Sequence, residues 1–213
     1  MIKAVLFDFD GTLIDTNELI FESYRIAFRD VLNREIDMNE ILTLYGKPLF
    51  SSLMQYGEAG KRLYEVYREF NEKNHDFLAK PFDGVRDGVK LLKNNGFTIG
   101  IVTSKRLHMV NRGIEKILNL GGMFDVIVTP DDTEKTKPDP EPISFACNVL
   151  NVSPDEVIYV GDSVFDMQAG LAAGTKLCAV KYSVDKPENL LKYDPEYYVD
   201  SIAEFAKKLI EEK

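Results

Sequence analysis

Two aspartates one residue apart, Asp8 and Asp10, follow directly on the apolar run Ala4-Val5-Leu6-Phe7 and lead into Gly11-Thr12. Carboxylates at such a spacing can hold a cation, attack an electrophile or exchange a proton. Burying them unpaired costs several kcal/mol each, so a strand that ends in two of them needs positive charge nearby. Gly11 lets the backbone turn sharply where the strand stops. Taken alone, the stretch would be a strand followed by a solvated turn. Further along, however, Thr103-Ser104 closes a second apolar run, and Lys135-Thr136-Lys137-Pro138-Asp139-Pro140 offers cations. Gly161-Asp162-Ser163 closes a third run, with Asp166 four residues after Asp162. Oxygen ligands without a nearby His or Cys suit Mg²⁺, which binds one or two carboxylates plus a phosphate.

The elements that must position these groups follow from periodicity. After Asp15 the pattern turns helical, with Thr16 or Asn17 as a cap and Leu19, Ile20, Tyr24, Ala27, Phe28 and Val31 spaced three and four apart. Further helices are expected from Asp37 to Leu44, from Pro48 to Gly57 and from Ala59 to Leu78. Residues 16–80 thus contain no strand and form a candidate helical unit, closed by Lys80-Pro81. From Phe82 onward helices alternate with strands at 97–103, 125–129, 157–160 and 177–180, a possible edge strand at 197–199 and a terminal helix after Asp200 or Ser201. This alternation predicts an α/β fold: a Rossmann-like, doubly wound parallel sheet with helices on both faces. The first strand belongs to that sheet, so residues 1–15 and 81–213 make the core and 16–80 an inserted all-helical cap. Ligands of such sheets bind at the carboxyl ends of the strands, where Asp8, Asp10, Thr103, Ser104 and Asp162 all fall.

At 213 residues, with 45% hydrophobic content, the chain can bury a sizeable core. A formal charge of −9 argues against nucleic acid or an anionic membrane as partner and requires a local cation for any anionic substrate. No stretch has the length of a membrane span or the layout of a secretory leader. Cys147 and Cys178 lack metal-ligand spacing and are expected as buried free thiols. The expectation is a cytoplasmic protein, monomeric or weakly dimeric. Lys135 reads as a solvated loop charge, and His75 and His108 as surface or helix-face residues.

The set DFDGT at 8–12 with its preceding Phe7, a hydroxyl residue at the next strand end, a lysine before Pro-Asp-Pro, and GDSxxD at 161–166 resembles the haloacid dehalogenase superfamily. The match runs the length of the chain in the right order, and residues 16–80 resemble that superfamily's helical cap. The resemblance implies that Asp8 attacks phosphorus to form an aspartyl-phosphate, and that Asp10 protonates the leaving group and then activates water. Asp10, two residues on along an extended strand, would share a side with Asp8, and neighbouring carboxylates would help it hold its proton. Mg²⁺ would sit on Asp8, the Asp10 carbonyl and Asp162, with Asp166 in support. Phe9, Thr103, Ser104 and Lys137 would contact the phosphoryl group, and Lys137 would stabilise charge developing in transfer. Asp166 could equally serve as an acid at a helix N-terminus.

An acid at Asp10 points to phosphate esters or anhydrides, since relatives that cleave other bonds lack it. The stretches at 15–20, 67–76 and 137–142 resemble bacterial inorganic pyrophosphatases of this superfamily, siblings of its phosphoglycolate phosphatases. Lys47, in Gly46-Lys47-Pro48, would meet the second phosphate of pyrophosphate or the carboxylate of phosphoglycolate. A sugar phosphomutase with the same cap is a further reading. So is a non-enzymatic phospho-receiver, although receivers carry the acceptor on a middle strand, lack an inserted bundle and are shorter.

Overall fold

The computed structural model describes residues 1–213. Six strands form one parallel sheet: β1 (Ala4–Phe7), β2 (Thr98–Val102), β3 (Val126–Val128), β4 (Val157–Gly161), β5 (Lys176–Val180) and β6 (Tyr197–Val199). Their order across the sheet is β3-β2-β1-β4-β5-β6. Val5 pairs with Ile99 on one side and Ile158 on the other, so the order reverses between β1 and β4. That reversal opens a crevice at the strand C-termini. The strands are apolar nearly throughout because both faces of the sheet are covered.

The chain divides into two compact units, Met1–Asp15 with Pro81–Lys213 and Thr16–Lys80. In the sheet-bearing unit the crossover helices are α5 (Val85–Asn94), α6 (Leu107–Arg112), α7 (Glu141–Leu150), α8 (Val164–Ala173) and α9 (Pro187–Leu191), and the terminal helix α10 (Ile202–Glu211) follows β6. Ala4, Leu6, Val102, Val128 and Tyr159 pack against Ile143, Ala146 and Cys147 of α7 and Ala169 of α8. Periodicity alone did not anticipate α9, nor the change to a wider π turn over Gly113–Leu118 after α6. The Arg86 guanidinium closes that turn by donating to the carbonyls of Leu118 and Ile117 at 2.8 and 2.7 Å. Cys147 and Cys178 are buried free thiols, as expected.

The helical unit contains α1 (Asn17–Leu32), α2 (Met38–Leu44), α3 (Leu49–Met54) and α4 (Gly60–Leu78), close to their sequence-expected bounds except that α3 stops three residues before Gly57. Asp37 caps α2 by accepting the Glu40 N–H. Tyr24, Phe28, Ile41, Leu53, Leu63 and Tyr67 form its core. His75, expected at a surface or on a helix face, is fully buried, because it continues the Leu63–Tyr67 stripe of α4 at four-residue spacing. No helix is long and apolar enough to cross a membrane.

Candidate active site

The chain turns out of β1 through Asp8-Phe9-Asp10-Gly11. Asp8 extends the ladder by donating its N–H to the Val160 carbonyl at 2.9 Å, which lays it beside the end of β4. Gly11 adopts φ 83°, and a Cβ there would lie 2.2 Å from an Asp162 carboxylate oxygen. Both conformation and space therefore require glycine. The Tyr182 hydroxyl pins the turn by donating to the Thr12 carbonyl at 2.8 Å. At the end of β4, a Cβ on Gly161 would lie 2.3 Å from that of Asp166, so glycine lets α8 start close against the strand.

Asp8, Asp162 and Asp166 are all buried and present carboxylate oxygens within 4.8 Å of one another. Lys137 enters this group from the loop before α7. Its Nζ lies 2.7 Å from Asp8 Oδ1, 2.6 Å from Asp166 Oδ1 and 3.0 Å from the Tyr159 hydroxyl. Asp166 divides its two oxygens. Oδ1 holds Lys137, while Oδ2 accepts from the Ser163 N–H and hydroxyl and so caps α8. The helix-acid reading of Asp166 thus describes one end of the side chain, while the other end holds Lys137. Asp162 accepts from Thr12 Oγ1 at 3.3 Å through Oδ1, and its Oδ2 is buried with no hydrogen-bond partner.

Burial is the chief cause that pushes the Asp8 carboxyl up to about 7, with Lys137 opposing and Asp166 reinforcing. Burial, then Asp166 and Asp8, raise the Asp162 carboxyl well above the usual range. Burial works against the Lys137 ammonium, yet Asp166 and Asp8 hold it charged. Three carboxylates face one ammonium, so full ionisation would leave two negative charges uncompensated. An all-oxygen, doubly negative cluster with one unpartnered oxygen fits a divalent hard cation such as Mg²⁺.

Asp10 departs from the expected surroundings. Strand β1 ends at Phe7, before either aspartate, so strand alternation does not carry through to Asp10. Its carboxylate pairs with Lys105, whose Nζ lies 2.8 and 2.9 Å from the two oxygens. Phe9 is fully buried. Thr103 is buried at the end of β2, its Oγ1 accepting the Lys105 N–H at 3.2 Å, and Ser104 is exposed beside it. Lys135 is exposed and pairs with Asp139 at 3.1 Å. Lys47 is exposed in the turn between α2 and α3 of the helical unit, and His108 is exposed on α6. Sequence reasoning did not single out Tyr159, Lys105 or Thr12. A tyrosine in an otherwise aliphatic buried strand was the available signal, since a buried phenol needs a partner.

The family model for haloacid dehalogenase-like hydrolases matches residues 5–180. A Clostridium perfringens protein bearing the pyrophosphatase PpaX name is 44% identical over 201 residues, covering 94% of each chain. Pyrophosphatase PpaX of Bacillus velezensis is 37% identical over 204 residues, covering 95% of this chain and 94% of that one. A crystal structure from Clostridium acetobutylicum, described as a phosphatase, superposes with a TM-score of 0.85 at 28% identity over 99% of both chains. In sequence and in fold the chain belongs to the haloacid dehalogenase-like hydrolases, and it is a phosphatase of that family.

Proposed function

We propose that this phosphatase is a Mg²⁺-dependent phosphohydrolase that works through an aspartyl-phosphate on Asp8, with pyrophosphate as its substrate. The observation that carries the mechanism is the buried cluster of Asp8, Asp162 and Asp166 around Lys137, with one Asp162 oxygen unpartnered. The PpaX relatives, similar over nearly the whole chain, support the choice of substrate.

In the first step an Asp8 oxygen forms a bond to phosphorus as the bridging P–O bond breaks. Asp10 passes its proton to the departing phosphate. In the second step Asp10 takes a proton from water, whose oxygen attacks the aspartyl-phosphate, and the acyl-phosphate bond opens to release the second phosphate. Asp8 and Asp162, with the Asp10 main-chain carbonyl, would hold Mg²⁺. When bound, Mg²⁺ offsets the charge of the carboxylates and polarises a phosphoryl oxygen. Lys137, fixed by Asp166 and Tyr159, meets the phosphoryl charge as it develops. Thr103 accepts from Lys105 and retains its hydroxyl proton to donate to a phosphoryl oxygen, with the Ser104 and Phe9 main chain alongside.

A phosphate-release panel tests the reading directly, with Mg²⁺ or EDTA and with pyrophosphate, phosphoglycolate, sugar phosphates and nucleotides as substrates. Mg²⁺-dependent release with the highest kcat/KM on pyrophosphate is expected. A clear preference for phosphoglycolate would overturn the substrate, and turnover unaffected by EDTA would overturn the metal.

A further inference from the structure

The Asp10 carboxylate is paired through both oxygens with the ammonium of Lys105, a side chain only 11% exposed. Lys105 lies two residues past Thr103, the first residue beyond β2, and its N–H donates to Thr103 Oγ1. Its charge is therefore held at the sheet rim and largely out of solvent, where salt screens it little. Proton donation by Asp10, as described so far, gives Lys105 nothing to do.

We propose that Lys105 is a specificity-determining residue that selects substrates with an anionic leaving group. This inference rests on the assignment of Asp10 as proton donor. A leaving oxygen that takes its proton from Asp10 must come within about 3 Å of that carboxylate, and so within about 6 Å of Lys105 Nζ. Any further oxygens on the same leaving group are then close enough for the ammonium to reach. A leaving phosphate or carboxylate brings negative charge to this partly buried ammonium as the P–O bond breaks. A neutral alcohol brings none. The charge that recognises the second phosphate of pyrophosphate is thus placed on Lys105, beside the proton donor, rather than on the exposed Lys47.

The test compares the intact wild-type protein with Lys105→Met and Lys105→Arg, in Mg²⁺, on pyrophosphate, phosphoglycolate and glycerol phosphate. The first two substrates leave as anions and the third as a neutral alcohol. The expected result for Lys105→Met is a kcat/KM that falls about 10- to 100-fold further on the anionic-leaving substrates than on glycerol phosphate, the range of a hydrogen bond to a charged group. Lys105→Arg keeps the wild-type ranking. Equal losses on all three substrates, or no loss, would overturn the proposal, because Lys105 would then act on Asp10 alone or on nothing. If the wild-type protein ignores pyrophosphate, the substrate reading above fails, while the ratio of phosphoglycolate to glycerol phosphate still decides the role of Lys105.

Discussion

The rim of the sheet and the interior of the helical unit solve opposite problems. At the rim, Asp8, Asp162, Asp166 and Lys137 are buried together, and burial first, then the neighbouring carboxylates, raise the carboxyls of Asp8 and Asp162. Inside the helical unit, Tyr24 meets Tyr67 edge-on at 4.7 Å and Phe28 meets Tyr56 at 5.0 Å over an apolar core. Its ion pair of Arg34 with Glu40 lies toward the surface, where Glu40 also accepts from the Tyr56 hydroxyl. One region holds unfavourable charge in readiness for a ligand, and the other packs an apolar, aromatic core. Side-chain removal at the rim should therefore cost activity whatever it does to stability, whereas in the core of the helical unit it should cost folding free energy.

The largest effect is expected from Asp8→Asn, which removes the nucleophile and should lower kcat by about 10⁴-fold or more in the phosphate-release assay. Next, Lys137→Met should cost about 10²–10³ in kcat. The same change leaves Asp8 and Asp166 without their cation, so urea denaturation of the metal-free protein should show a loss of about 3–5 kcal/mol. Equal activity in this variant would break the contrast between the regions. In the helical unit, Leu63→Ala should cost about 2–5 kcal/mol by urea denaturation through cavity formation, with the Mg²⁺ affinity of the rim unmoved in titration calorimetry. Glu40→Gln should cost no more than about 1 kcal/mol by the same denaturation, as befits a pair near the surface.

The pH dependence sharpens the comparison further. Asp8 keeps its proton to about pH 7 in the folded, metal-free chain, against an ordinary value of 3.8. The folded state binds the extra proton between those values, so the stability Asp8 contributes is present below about pH 4 and is lost as pH rises through about 7. Asp8→Asn has no such loss. Without metal, the Tm of the variant should therefore gain on wild type as pH rises from about 5 to about 8. A gap that stays constant with pH would contradict the burial argument.

Much of the fold was legible because parallel strands buried on both faces leave short Val-, Ile- and Leu-rich runs between helices of clear period. The convergence of Asp8 and Asp162 was legible too, since both stand at strand ends, and Lys137 was picked out by the loop that offers cations between them. Lys105 was not, because a lysine after Thr103-Ser104 looks like any solvated loop charge until the fold brings Asp10 to it. Tyr159 escaped because burial in a strand is what an aromatic residue ordinarily gains, and only the fold reveals Lys137 and Asp166 at its hydroxyl. The π turn at Gly113–Leu118 was hidden because Ile114 and Ile117 satisfy a helical period either way. Of the two readings of His75 the helix face holds and the surface does not, its place in the α4 stripe counting for more than its polarity.

The measurement that bears most directly on the whole account is the capture of phosphate on Asp8. The Asp10→Asn variant, unable to activate water, would be incubated with Mg²⁺ and p-nitrophenyl phosphate, whose leaving group departs without a proton. Acid quenching and peptide mass spectrometry should then find a phosphoryl group on the peptide that carries Asp8. Nitrophenol release without any such adduct, or with the phosphoryl group on a different peptide, would contradict it.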